Sequence, residues 1–472
     1  MPAVNADQNG AGPVVIHTGY ATLVACAAAI GGFLFGYDSA VINGAVPGIQ
    51  ATFQSGSAAT GFAVASILIG CAIGALFAGR IADLLGRRRT LLITGVVFTL
   101  SALWTGYVAT ETAFNAARFL SGIAVGAASV VSPAYIAEIS PAAIRGRLTS
   151  LNQMGIVVGI FMALLVDDAV ARAAGGVSQS FWMGLEAWRW MFLTEVAPAI
   201  ALVLAACFIP ESPRYLVANR RDAEALAVMQ RISPATGPAK IAEIKATFAG
   251  ETKPRLRDLL GPDNRLLPIV WIGIALSCLQ QFVGINVIFY YGTTLWEAVG
   301  FSDADSLGIN VISSTINIAA TLIAIALIDR VGRRPLLLWG AVGMAATLGV
   351  LAMMFATADV SINGKVTLPH VNGLVALIAA NLYVLAFGVS WGPAVWTMLS
   401  EMFPNRMRGS ALAVAAMAQW LANWLITVTF PVMLKNLGSA FAYLVYAVFA
   451  ALAIFFVMRY VKETRGRSLE EM

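Results

Sequence analysis

The chain has 472 residues, of which 59% are hydrophobic and only 12% charged, with 43 glycines and a formal net charge of +5. That balance excludes a soluble globular domain and points to about a dozen membrane-spanning helices of roughly 20 apolar residues each. The two histidines, His17 and His370, and the absence of a nucleophile–base grouping or metal-ligand cluster argue against an enzyme. No cofactor or metal is expected, and the positive charge is not a nucleic-acid signature because it is confined to particular loops. Four cysteines (Cys26, Cys71, Cys207, Cys278) lie in apolar runs and read as small hydrophobes rather than disulfide partners.

Residues 1–17 are small and polar and are expected to be disordered; they lack the basic start of a secretory signal. Helix 1 then runs from about Tyr20 to Val46 and carries one acid, Asp38, in GGFLFGYDSAVINGAVPG. A charge near the centre of a membrane helix costs about 2.5–3.5 kcal/mol, so it faces the protein interior and has a partner or a task. Helices 2 (Gly61–Ile81) and 3 (Thr90–Val108) flank the basic loop GRIADLLGRRRT. Helix 4 (Thr112–Ile139) carries Arg118, with Gly122 and Gly126 spaced for close backbone contact. Helix 1 runs outward and helix 4 returns, which puts Asp38 and Arg118 at a common depth, ~10 Å from the outer end at 1.5 Å per residue. An ion pair between them fits, and protonating Asp38 would release Arg118 and shift the balance of conformations.

Helix 5 follows Arg145-Gly146-Arg147 and brings Gln153 to mid-membrane depth. A polar outer loop, Asp167–Glu186, leads into helix 6, which ends at Cys207. PESPRYL opens a cytoplasmic linker with helix-prone pieces at Asp222–Arg231 and Ala239–Phe248. It is too short for a core of its own. Helix 7 (Leu266–Tyr291) holds Gln280, Gln281, the break Gly284-Ile285-Asn286, and Tyr290-Tyr291. Loosened backbone at membrane depth is tolerated where it lines a cavity or is covered by protein. Asn317 lies on helix 8, helix 9 ends near Phe355, and helix 10 (Gly373–Met402) is expected to break at Gly392-Pro393, just before Trp396. Helix 11 (Ser410–Met433) places Gln419 beside Trp420, and helix 12 ends near Tyr460.

Arg172, Lys365 and Lys435 fall in loops on one side, and Arg118 and Arg189 in or at the ends of helices, leaving 25 of the 30 Lys and Arg on the other side. By the positive-inside rule that side is cytoplasmic, and both termini lie there. The chain also repeats itself: Asp83, Gly86, Arg87 and Arg88 return as Asp329, Gly332, Arg333 and Arg334, and Glu138 with Arg145 returns as Glu401 with Arg408. Glu211 and Arg214 of PESPR have a weaker echo in KETRGR at the end of the chain. Two like six-helix halves are the mark of a secondary transporter. Acids fixed among arginines on the inner face read as cross-half bridges that hold this face shut in one state and break in the other. The expected organisation is a tail (1–17), an N-terminal six-helix bundle (18–209), a cytoplasmic helical linker (210–265), a C-terminal bundle (266–461) and a cytoplasmic tail (462–472).

These motifs resemble the sugar porter family of the major facilitator superfamily over nearly the whole chain, from GGFLFGYDSAVI to ETRGRSLEE. Between these ends lie the two D-x-x-G-R-R loops, RFLSGIAVG, PAYIAEISPAAIRGRL, PESPRYL, QQFVGINVIFYY and GPAVWTMLSEMFPNRMRG. Lys462 departs from the family, which has proline there. The resemblance implies an all-α fold of 12 transmembrane helices in two pseudo-symmetric bundles. It implies that Gln153, Gln280, Gln281, Asn286, Asn317, Trp396, Gln419 and Trp420 bind sugar, with Tyr290 and Phe35 at or near it. Amides satisfy hydroxyls while aromatic faces pack on C–H surfaces, which suits a neutral monosaccharide, hexose or pentose. Asp38 and Arg118 match the pair used by proton-linked bacterial symporters, although some facilitators keep the aspartate. Proton symport is therefore the favoured expectation, with uniport as the alternative and a non-transporting sensor as a remote one. The short loops and the lack of an N-x-S/T acceptor point to a bacterial inner membrane, and the carrier is expected to function as a monomer.

Overall fold

The computed structural model describes residues 18–141, 144–232, 237–250, 256–261, 263–298, 300–360, 366–404 and 407–464. The expected N-terminal tail and most of the C-terminal one lie outside the described residues, as do the side chains of Arg145, Asp329 and Arg408. The N-terminal half begins with α1 (Thr18–Ala40) and α2 (Ile42–Phe53), which together make one crossing, and continues with α3 (Ser57–Leu85), α4 (Arg87–Tyr107), α5 (Glu111–Ile139) and α6 (Arg145–Ala174). It closes with α7 (Ala187–Leu193) and α8 (Val196–Phe208). The linker holds three short helices, α9 (Pro213–Ala218), α10 (Asp222–Ile232) and α11 (Gly237–Gly250). The C-terminal half has α12 (Pro268–Phe282) with α13 (Ile285–Ala298), α14 (Asp303–Val331), α15 (Arg333–Ala356), α16 (His370–Val389) with α17 (Trp391–Met402), and α18 (Arg408–Tyr460). Among the described residues eleven stretches are long and apolar enough to cross a membrane, and the last of them, Gly409–Tyr460, is 52 residues long. At 1.5 Å per residue it is about 80 Å, twice the thickness of a bilayer and more. Gly438, at φ +80°, divides it, so the crossings number twelve.

The outside of this bundle is apolar: Leu76, Leu100, Leu204, Leu322, Leu425 and Phe455 are all exposed. Between helices the contacts rest on small residues. An added Cβ on Gly122 or Gly126 would stand 2.0 Å from the Ile67 carbonyl oxygen or 2.2 Å from that of Cys71, which is the close α3–α5 approach expected from their spacing.

Among the described residues four crossings are interrupted, one of them between α7 and α8 at Thr194 and Glu195. The sequence locates the interruption between α12 and α13 at Gly284, where φ is +83° and the ring of Tyr446 packs so close that a Cβ would lie 2.5 Å from it. The break in helix 10 comes at Ser390, two residues before the expected Gly392-Pro393. Pro393 falls instead in the first turn of α17, where a missing N–H costs nothing because that donor has no helical partner. The break in helix 1, at Val41, was not expected at all. The outer loop also begins later than expected: α6 runs on through Asp167, Asp168 and Arg172 to a left-handed cap at Gly175.

The duplicated loop motifs build the same knot twice. In the first half, one Glu211 oxygen accepts the backbone N–H of Arg87 (2.9 Å), Arg88 (3.3 Å) and Ser212 (2.8 Å). In the second, Glu463 accepts those of Arg333 (3.1 Å), Arg334 (3.0 Å) and Thr464 (3.0 Å). Neither α4 nor α15 has a side-chain cap of its own, so each glutamate caps a helix far away in sequence. The weak echo between PESPR and KETRGR is thus a repeated capping device. Glu211→Ala is expected to cost about 1–2 kcal/mol of stability, read as a lower unfolding midpoint, with Glu211→Gln costing less because it retains an acceptor. Equal losses would move the stabilisation from capping to charge.

Candidate sugar and proton sites

At the helix-7 break the last turn of α12 presents two adjacent amides. Gln280 donates through Nε2 to the carbonyls of Trp391 (2.8 Å) and Gly392 (3.3 Å), which ties the break in helix 7 to the break in helix 10. Its Oε1 is buried and unpaired, and so is Oε1 of Gln419. Gln281 accepts from Asn286 Nδ2 across the interruption. Tyr290 Oη accepts from Asn423 Nδ2 at 3.4 Å, linking α13 to α18. Trp420 packs its ring 5.5 Å from that of Phe35 in the opposite half, across the seam. Asn317 is buried against Gly388, where a Cβ would stand 3.0 Å from its Oδ1. Gln153 is half-buried on α6, while Trp396 is 40% exposed one turn beyond Gly392. The neighbouring Trp391 is instead a structural post, fully buried with Nε1 on the Leu337 carbonyl at 2.9 Å. Asn423 is the amide that the sequence did not single out; it lies one turn after Gln419 on α18.

In the N-terminal half Asp38 (0% exposed) and Arg118 (1% exposed) are ion-paired. Arg118 Nη2 also donates to the Asp38 carbonyl at 2.9 Å, and Ser121 Oγ to the other Asp38 oxygen. The Phe192 ring lies 5.1 Å from the guanidinium carbon. Glu195, equally buried, lies beside the Asp38 carboxyl, and its Oε1 has no hydrogen-bond partner. Two acids and one arginine therefore occupy one dry pocket. The signal for Glu195 was present: it is an acid within the apolar run of helix 6, as Asp38 is within helix 1.

The inner-face acids act within each half. Arg87 pairs with Asp83 (3.1 Å) and Glu138 (3.0 Å), and Arg333 with Glu401 (2.8 Å). Arg88 reaches the Cys207 carbonyl and Arg334 that of Met458. Glu211 and Glu463 are taken up in capping, and the pairs named here lie within one half, as expected of a state in which the cross-half bridges are broken; the side chains of Arg145, Asp329 and Arg408 lie outside the described residues. Arg214 is exposed at the start of α9.

The halves meet around Asn43. Asn43, fully buried on α2, donates to the carbonyls of Ile288 (3.4 Å) and Phe289 (3.2 Å). Its Oδ1 accepts from Thr293 N (2.9 Å), Thr293 Oγ1 (2.7 Å) and Asn310 Nδ2 (3.2 Å). Arg172, paired with Asp168, reaches the Ala304 carbonyl across the same seam at 3.4 Å. At this end the two halves are closed together.

Residues 24–472 match the family described as sugar (and other) transporter. The chain belongs to this family. It is 52% identical to the glucose transport protein of Synechocystis sp. over 96% of this chain and 97% of that one. It is 37% identical to the D-xylose–proton symporter of Escherichia coli strain K12, over 97% and 96% respectively. A partially occluded inward-open structure of the xylose transporter XylE from E. coli superposes with a TM-score of 0.82 at 34% identity, covering 95% of this chain and all of that one. The same transporter bound to 6-bromo-6-deoxy-D-glucose gives 0.78 at 34% identity, covering 96% and 98%. The fold is that of the major facilitator superfamily, seen here with its Asn43 end shut.

Proposed function

We propose that this sugar porter imports a neutral monosaccharide, hexose or pentose, in symport with a proton across a bacterial inner membrane, by alternating access of two bundles to a common slot. The observation that carries this reading is the separation of two sets of side chains. Amides and aromatics, with two buried amide oxygens unpaired, gather at the breaks of helices 7 and 10; one arginine and two carboxyls gather beside the break of helix 1. The first set has hydrogen-bonding capacity and no charge, which suits hydroxyls. The second is fully buried and charged, which suits a proton rather than a hydroxyl.

In this reading Gln153, Gln280, Gln281, Asn286, Asn317 and Gln419 bind hydroxyls, Trp396, Trp420, Tyr290 and Phe35 pack on the ring, and Asp38 carries the proton. With the proton on, Arg118 is freed from Asp38 and turns to Glu195; with it off, the pair reforms and holds the Asp38 carbonyl at the end of α1. The wild-type arrangement of inner clusters leaves the cytoplasmic side free to open while Asn43 holds the outer side. The bundles (18–209 and 266–461) move as the two rocking bodies and the linker lies beneath them. Both termini are cytoplasmic, and one chain contains everything the cycle uses.

Proteoliposome uptake of a panel of hexoses and pentoses, each with and without an imposed pH gradient, tests the reading. Accumulation of at least one sugar above equilibrium only with the gradient supports symport. Equilibration at the same rate and extent with or without it would favour facilitated diffusion, the activity named for a relative in Zymomonas mobilis at 35% identity. Gln281→Ala is expected to raise KM for that sugar by about five-fold to a hundred-fold, the equivalent of losing one buried polar partner at ~1–3 kcal/mol, with little change in protein yield. An unchanged KM would place Gln281 outside the slot.

A further inference from the structure

Asp167 is the buried acid that neither set uses. It is 0% exposed on α6, its Oδ2 accepts the backbone N–H of Gly44 at 3.1 Å, and its Oδ1 is buried without a partner. Gly44 is the third residue of α2, whose own first-residue neighbour Val41 supplies no side-chain cap. Asp167 therefore does for α2 what Glu211 does for α4 and Glu463 for α15: it caps a helix from another part of the chain. The approach demands glycine, since a Cβ at position 44 would stand 2.6 Å from that of Asp167. The interruption of helix 1 is consequently held at both ends by side chains that ionise. Arg118 takes the Asp38 carbonyl at the end of α1, and Asp167 takes the Gly44 N–H at the start of α2. The residue beside Gly44 is Asn43, which locks the two halves together.

We propose that Asp167 is a positioning residue of the outer gate and a second proton-binding site, protonated as the outer face closes and ionised as it opens. The inference rests on the alternating-access reading. Its surroundings carry no compensating charge. Tyr37, from α1, lies within electrostatic reach of both Asp167 and Glu195, with its hydroxyl on Thr194 Oγ1 at 2.7 Å. Arg118 of α5 is committed to Asp38, and Arg189 of α7 to Glu186 and the carbonyls of Gly106 and Val108. On α6 itself Asp168 is paired with Arg172, and Asp305 of α14 lies on the Arg172 side. Among the described residues no cation lies against Asp167. One N–H and the positive end of α2 support one oxygen, while the other would be a bare charge in a dry site. Water admitted by an open outer face hydrates that oxygen; closure strips the water and the carboxylate takes a proton from the outer medium. The same proton returns to that medium on reopening, so none crosses the membrane and the sugar:proton ratio is unaffected.

The test compares wild type with Asp167→Asn and Asp167→Ser, which keep an acceptor for Gly44 but cannot ionise, in proteoliposome uptake at outer media from mildly acidic to mildly alkaline. Wild-type maximal rate is expected to fall several-fold as the outer medium turns alkaline. The variants are expected to match it in acid and exceed it in alkali, at unchanged KM and unchanged accumulation ratio. A variant-to-wild-type rate ratio that is constant across pH would leave Asp167 a plain cap and overturn the proposal, as would a lost accumulation ratio, which would place it in the Asp38 set. Should both variants fail to fold, spin-label distances across the outer face in the Asp38→Asn protein, with Asp167 intact, give the answer. An outer-closed fraction that declines as pH rises supports the proposal, and a pH-independent one rejects it. Failure of sugar uptake by wild type itself would instead remove the transport reading.

Discussion

Asp38→Asn is expected to abolish uphill accumulation of sugar while exchange of labelled for unlabelled sugar across the same vesicles continues. The asparagine occupies the same volume and can still meet Arg118 and Ser121, so the break in helix 1 keeps its shape. What it lacks is the exchange of a charge for a neutral group at a fully buried position. In the wild-type chain, ionised Asp38 and Arg118 neutralise each other, and adding a proton leaves a buried guanidinium looking for Glu195. A buried charge stripped of its partner costs about 3–5 kcal/mol. That is enough to exchange the populations of two conformations separated by a few kcal/mol. Exchange needs only the reversible passage of loaded carrier, so it survives. Accumulation that persists in the variant would remove Asp38 from the coupling role. Glu195→Gln offers a companion measurement: with the second acid gone, Arg118 has one partner, and the accumulation ratio is expected to fall while KM for sugar holds.

The other large effect is expected at Asn43. Its side chain is the hub of the outer seam, bonded to α13 at three residues and to Asn310 on α14. Asn43→Ala strands chiefly the Thr293 backbone N–H, at ~1–3 kcal/mol, because Asn310 Nδ2 keeps Thr293 Oγ1 as a partner at 3.0 Å. The outer-closed state loses that stabilisation and the outer-open state, where water reaches these groups, does not. The population is expected to move toward the outer-open form by one to two orders of magnitude. Labelling of a cysteine introduced at Thr293 by a thiol reagent added from outside measures it. Faster labelling in the Asn43→Ala background supports the lock, and labelling as slow as with Asn43 intact would show that the seam is held elsewhere.

The twelve crossings were legible because lipid forces whole helices and the apolar runs have the length of a bilayer. The helix-7 interruption was legible because Gly284 marks it. The helix-10 break was displaced by two residues because proline is tolerated in a first turn and so marks the start of α17 rather than its end. The break at Val41 carries no glycine or proline at the broken position; Arg118 and Asp167 hold its two ends from other helices, and the nearest local signals, Gly44 and Pro47, lie inside α2. Asp167 read as loop because two adjacent acids at the end of an apolar run resemble a surface, whereas α6 buries the first and pairs the second with Arg172. The repeated arginine–glutamate motifs announced the two-fold design, but not that Glu211 and Glu463 would spend their oxygens on backbone N–H groups. Capping in trans depends on where two distant segments meet, which spacing does not contain.

Sugar-driven proton movement tests the central claim most directly. Vesicles with the same pH on both sides are placed in a weakly buffered medium, and a transported sugar is added outside. A symporter carries protons in with the sugar, so the medium turns alkaline in step with uptake, and the Asp38→Asn protein gives no such change. Sugar entering wild-type vesicles at full rate with no shift in the pH of the medium would contradict the coupling role assigned to the buried acids of the N-terminal half.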